Sequence, residues 1–132
     1  MTIDHTFFND TNMRCFEELR IWQDARTLVK DIYSITTSWK DYGFKDQLQR
    51  AVISIMNNIA EGSDSGSDNL FIRYLQIAKG SCGEVKSMLY VCEDIEYLSP
   101  EQAIELRNRV YNISSAIQKL IEYLRKQSNT TK

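Results

Sequence analysis

The sequence predicts an all-α fold, an antiparallel up-down-up-down four-helix bundle, and three observations predict it. One proline and five glycines in 132 residues leave few helix breakers. Four long segments repeat apolar residues at steps of three and four, the period of a helix with one buried face. Short polar, turn-forming segments separate them, and short connections make successive helices antiparallel neighbours. The length fits one domain around one core. The expected divisions are a leader at 1–15, the bundle at 16–127 and a tail at 128–132.

The leader shows no helical periodicity. The first helix is expected from about Phe16 to Trp39, with a stripe of Trp22, Ala25, Val29, Ile32, Thr36 and Trp39. Tyr42-Gly43 reads as the punctuation after it, since glycine suits a helix C-cap or a turn. The second helix is expected from Lys45 to Glu61 on Leu48, Val52, Ile55 and Ile59, ending at Gly62. Ser63-Asp64-Ser65-Gly66 is the connection. The third helix is expected from Asp68 to Tyr97, capped by Ser67, with Phe71, Leu75, Ala78, Cys82, Val85, Leu89 and Cys92 inward. The fourth has the clearest start: Ser99 as cap, Pro100 at the first helical position and Gln102 completing a capping box. Its stripe is Ala103, Leu106, Val110, Ile113, Ile117, Leu120 and Leu124.

Composition is ordinary for a globular chain, 42% hydrophobic and 26% charged, with net charge −2. That balance argues against a dedicated nucleic-acid binder. One local exception is the C-terminal stretch from Arg107, where six basic residues face Glu122 alone. Arg107, Arg109, Lys119, Arg125 and Lys126 form a candidate nucleic-acid rim. The simpler reading is that cations near a helix C-terminus complement its dipole. Cys15, Cys82 and Cys92 make no disulfide framework. With no secretory leader and no apolar run of about 20 residues, the expected setting is a reduced cytoplasm, away from membranes.

Catalytic constellations are absent from the sequence. His5, in the leader, is the only histidine, which removes Ser-His-Asp and Cys-His triads and the two-histidine di-iron bundle site. No Cys/His spacing suits zinc, and no phosphate-binding glycine motif occurs. The reading is therefore a non-enzyme with no cofactor, no metal and no evident small-molecule substrate.

Two features exceed what a plain monomer needs. The third helix carries a second apolar stripe, Leu70, Tyr74, Ile77, Met88, Val91 and Ile95, beside the first. The first helix repeats the pattern in Ile21, Leu28 and Ile35. Such doubled faces either widen the core or bury against another chain, and self-association is the favoured reading. The second feature is a polar seam. Gln47, Ser54, Asn58 and Glu61 flank the second helix's core stripe, while Ser81 and Glu84 interrupt the third helix's second stripe. Antiparallel register places Arg50 near Ser81 and Glu84, so an Arg50–Glu84 pair that fixes register is expected. A ligand or partner pocket is the alternative use of the seam.

Several segments resemble a known family. They are Phe16-Glu17-Glu18-Leu19-Arg20-Ile21-Trp22, then Tyr42-Gly43-Phe44 with Gln47-Leu48-Gln49-Arg50-Ala51. The sharpest is Asn57-Asn58-Ile59-Ala60-Glu61-Gly62, and Arg73-Tyr74-Leu75-Gln76-Ile77-Ala78-Lys79-Gly80-Ser81 follows in order. Over roughly residues 14–126 the chain resembles the bacterial four-helix bundle proteins, also called 23S rRNA intervening-sequence or S23 ribosomal proteins. Members occur in reading frames inside rRNA intervening sequences and elsewhere in bacterial genomes, with roles largely unassigned. The resemblance implies a ring-shaped homopentamer. A related retroelement accessory protein implies a second possibility, binding of nucleic acid or a partner protein. The chain departs from the family after Gly62, where Ser63-Asp64-Ser65-Gly66-Ser67-Asp68 replaces basic residues. That departure weakens the nucleic-acid implication, because phosphate contacts need Lys or Arg.

Overall fold

A computed structural model describes residues 15–130. Most of the expected leader, including His5, lies outside the described residues, as do positions 131 and 132 of the tail. The described chain is helical, with no strand among the described residues. A 3-10 turn, Phe16–Glu18, leads into α1 (Arg20–Thr36), α2 (Tyr42–Ser63), α3 (Asp68–Asp94) and α4 (Pro100–Thr130). Each helix packs on the next, most extensively α2 on α3 and α3 on α4, while α1 and α4 touch sparsely.

The helix ends show how local chemistry sets the boundaries. Leu19 is extended and buried, so the first segment splits into the 3-10 turn and α1. Tyr42-Gly43 does not end a helix but begins one. Asp41 caps α2 by accepting from the Phe44 amide at 3.2 Å, supplying the acceptor that a first-turn amide needs. Ser67 caps α3 in the same way at the Leu70 amide, 3.2 Å. The capping box of α4 forms in both directions. The Gln102 amide donates to Ser99 Oγ at 3.1 Å, and the Ser99 amide donates to Gln102 Oε1 at 3.0 Å. α4 continues to Thr130, past the expected tail boundary.

α3 stops at Asp94, three residues before the expected end. Glu96 takes a left-handed backbone, φ 63°, and the amides of Glu96 and Tyr97 donate back to Glu93 O and Cys92 O. That is a Schellman closure with glutamate at the position glycine usually takes.

The core gathers the predicted stripes of α2, α3 and α4: Val52, Ile55 and Ile59 meet Leu75, Val85 and Leu89, then Val110 and Ile117, all buried. Each such side chain stabilises the fold by about 1.5–3 kcal/mol through removal from water. On α1 the expected stripe is buried at Ala25, Ile32 and Thr36 and not at its other positions. Ile21 and Leu28 are buried with Ala25 and Ile32, whereas Trp22, Val29 and Trp39 pack against the core only partly covered. The doubled face of α1 therefore serves this bundle and is not left over. Trp39 packs on Tyr97 with centroids 4.7 Å apart and the rings tilted by 49°, closing one end of the bundle beside Phe44.

At the other end, α2 passes close to α3 at Gly62. A Cβ there would lie 2.8 Å from Phe71 Cδ1 and from Tyr74 Cβ. No described helix is long and apolar enough to cross a membrane.

Candidate functional site

The α2–α3 face holds the polar seam, and the structure assembles most of it. Ser54 Oγ and Ser81 Oγ share a hydrogen bond of 2.8 Å across the two helices. Asn58 Nδ2 donates to Ser54 O at 2.8 Å and to Ser54 Oγ at 3.0 Å. One end of the seam is closed by Gln47 Nε2, which donates to Glu84 Oε2 at 3.3 Å. Glu61 is exposed.

The Arg50–Glu84 pair does not form. Arg50 pairs within its own helix, Nε to Asp46 Oδ2 at 2.8 Å, with its side chain 80% exposed. The expected register was right, but Arg50 sits about 60° further round α2 than Gln47, away from α3. Asp46, four residues back, offers the nearer carboxylate. The seam is thus a set of short neutral contacts and one glutamate, of a kind that fixes how two helices slide against each other.

Beyond the seam, the second stripe of α3 runs along the surface. Leu70, Ile77, Val91 and Ile95 are 43%, 53%, 40% and 44% exposed. Tyr74 is half-buried, and Met88 is buried against the core. Met88 therefore widens the intramolecular core, while four aliphatic side chains remain in water along about 38 Å of helix. Three further exposed apolar side chains, missed in the sequence, are Tyr90 on α3 and Ile104 and Tyr111 on α4. They fall outside the counted stripes, so periodicity alone did not mark them.

The basic residues of α4 do not gather into one rim on a single chain. Arg107 turns to α3, where its Nη1 lies 2.8 Å from Glu93 Oε1 and its guanidinium stacks 3.9 Å over the Tyr90 ring. Its side chain is 12% exposed. Arg109 lies on nearly the opposite side of the helix and pairs with Asp31 of α1 at 2.8 Å and with Glu105 at 3.5 Å. Lys119, Arg125 and Lys126 are exposed. Two of the five cations are thus already neutralised by carboxylates.

Concavities are shallow. Two clefts between α1 and α4, of about 210 and 290 Å³, share Arg109. They are small beside ordinary ligand pockets, and the first holds the Arg109–Asp31 ion pair. Among the described residues no three His, Cys, Asp or Glu side chains group in a way that could hold a metal ion. Burial pushes the Cys82 thiol up to about 12 and the Cys92 thiol up to about 11, so both stay protonated at neutral pH.

The fold is shared with a solved structure. A crystal structure of a protein with unknown function from the S23 ribosomal protein family of Bacteroides thetaiotaomicron VPI-5482 superposes with a TM-score of 0.72 at 24% identity. The match covers 76% of this chain and 97% of that one. Comparison with curated proteins finds no match. The family model for the 23S rRNA-intervening sequence protein matches residues 17–119, which includes the seam, the exposed stripe of α3 and the start of the basic stretch, and the chain belongs to that family.

Proposed function

We propose that the chain works as a non-enzymatic, self-associating four-helix bundle, a scaffold or partner-binding module whose working surface is that of the assembly. The observation that carries this reading is the line of four exposed aliphatic side chains on α3. Scattered surface aliphatics are normal, but two exposed pairs on one face of a helix whose inner face is already filled, Leu70 with Ile77 and Val91 with Ile95, favour a covering surface. The adjoining seam of Gln47, Ser54, Asn58 and Ser81 supplies the polar border that such interfaces carry. The ring of five implied by the family resemblance is one form such an assembly takes. A reduced, cytoplasmic setting suits the three free thiols.

The alternative, a nucleic-acid-binding accessory protein, draws on the family's link to 23S rRNA and on Lys119, Arg125 and Lys126. It is the weaker reading because Arg107 and Arg109 are held in ion pairs. Counterion release rewards only cations that meet phosphate.

Solution mass tests the proposal. The wild-type chain is expected to sediment as a multiple of 15.4 kDa. An Ile77→Asp/Val91→Asp double variant is expected to be monomeric with its helical circular dichroism retained, since both side chains lie in water in the single chain. A wild-type monomer at micromolar concentration contradicts the proposal.

A further inference from the structure

We infer that the exposed edge of α3 in one copy docks on the α1–α2 face of the next, so that copies join head-to-tail around a rotation axis. The inference rests on the self-association reading and adds to it which two faces meet.

α3 places Leu70, Ile77, Glu84 and Val91 seven residues apart, which keeps them within about 60° of arc. Glu84 accepts from Gln47 of α2, and Ser81 on the same edge bonds Ser54. The edge therefore belongs to the α2–α3 face. α1 carries a matching series. Trp22 and Val29 are seven apart, as are Arg26 and Tyr33, and the four share about 60° of arc. Asp31, which pairs with Arg109 of α4, lies on the opposite side of α1, so the four border α2. There Ile53 and Met56 share the side from which Gln49 reaches Thr36. Trp22, Val29, Ile53 and Met56 are half-buried and Tyr33 is 37% exposed. This face keeps apolar surface in water after the second stripe of α1 has filled the core.

Levels and charges select a second copy as the occupant. Thr36 stands level with Gln49, and Ser54 with Ser81. A residue of α1 is thus level with the α3 residue about fifty positions further on. Rotation about an axis along the bundle preserves these levels, and α3 runs parallel to α1. Leu70 of one copy then comes within a turn of Trp22 of the next, and Ile77 within a turn of Val29. Glu84 interrupts the aliphatic line and makes no ion pair among the described residues. Lys30, on the rim of the α1 face, is exposed and makes none either. Their levels differ by about one turn, which two such side chains span. Arg73, at the outer edge of the line, comes level with Gln23. Arg26 is held over its own Trp22 ring, 5.6 Å from the centroid.

The two faces differ, so each copy offers one to either neighbour and the contact is heterologous. They share α2 and stand roughly a right angle apart, as adjacent faces of a four-helix bundle do. Each copy is turned by a similar angle, and the contacts close as a small ring with α2 toward its axis. The ring of five implied by the family resemblance is compatible with that closure.

Sedimentation equilibrium of two variants, alone and mixed, tests the contact. Ile77→Asp/Val91→Asp spoils the α3 edge and leaves the α1–α2 face whole. Arg26→Glu/Tyr33→Glu does the reverse. All four side chains are exposed, and helical circular dichroism is expected to be retained. Each variant alone is expected to be monomeric where the wild type assembles. An equimolar mixture at about 100 micromolar is expected to form pairs of twice 15.4 kDa and nothing larger. One intact face of each chain meets the intact face of the other, and the two remaining faces are spoiled. Lys30→Glu alone is expected to weaken association about tenfold, and Glu84→Lys added to it to restore the wild-type value. A mixture that stays monomeric, either double variant assembling as the wild type does, a Lys30→Glu variant without effect, or a wild type of two copies overturns this contact and leaves self-association standing. A wild-type chain that stays monomeric overturns self-association, and the contact with it.

Discussion

At Gly62 the backbone of α2 passes so close to α3 that a methyl group would strike Phe71 and the Tyr74 Cβ, each at 2.8 Å. Alanine is the better helix former by about 1 kcal/mol, but overpacking at a rigid contact costs about 1–3 kcal/mol. Gly62→Ala is therefore expected to lower the urea midpoint despite its higher propensity. The buried thiols give the residue scale a pH signature. The folded-state pKa of Cys82 is raised from 9.0 to about 12, and that of Cys92 to about 11, by burial. A raised thiol pKa means the fold favours the neutral form. Its contribution is intact below pH 9 and is lost as pH rises toward the folded values. Stability is expected to fall between pH 9 and 12 in urea titrations, with a shallower fall in Cys82→Ala. Both cysteines were legible as core residues from their place in the stripe. The tight contact at Gly62 was not, because its meaning depends on which residue of α3 lies opposite.

At the scale of elements, α3 and α4 are joined by a polar ladder along their shared edge. Lys79 Nζ donates to Gln118 Oε1 at 2.8 Å, Lys86 lies 5.5 Å over the Tyr111 ring, and Arg107 binds Glu93 while covering Tyr90. Arg107 is the best-enclosed member. Arg107→Ala removes a charge-assisted hydrogen bond and a stacked cation together. It is expected to destabilise the fold by about 1–2 kcal/mol in chemical denaturation, with Arg107→Lys intermediate because lysine keeps charge without the planar stack. The helices themselves were readable from spacing and caps, as at Ser67 and Ser99-Pro100-Gln102. Their side-chain partners were less so. Gln47 stands where Arg50 was expected because a difference of about 60° on a helix decides which residue faces the neighbour. Near the start of α2, Asp41 overrode the turn signal of Tyr42-Gly43 by capping the amide of Phe44. On α1, two candidate faces of similar apolar character left the choice to tertiary packing, which buried Ile21 and Leu28.

For the whole molecule, the decisive quantity is the apolar surface left after one bundle has closed. Met88 goes inward, but Leu70, Ile77, Val91 and Ile95 stay 40–53% exposed, beside a seam whose serines and asparagine are already satisfied. The sequence showed that α3 has more apolar face than a surface helix needs, and the structure divides that excess into a small part for the core and a larger part for water. The basic stretch of α4 follows the opposite course: its cations are spread round the helix, with Arg107 and Arg109 drawn to different neighbours. The proposed working surface is therefore the α3 face more than the end of α4. The most direct test is the mass of the wild-type chain by sedimentation equilibrium across a dilution series at micromolar concentration. The account predicts a reversible assembly at a multiple of 15.4 kDa, and a single species of 15.4 kDa at every concentration would contradict it.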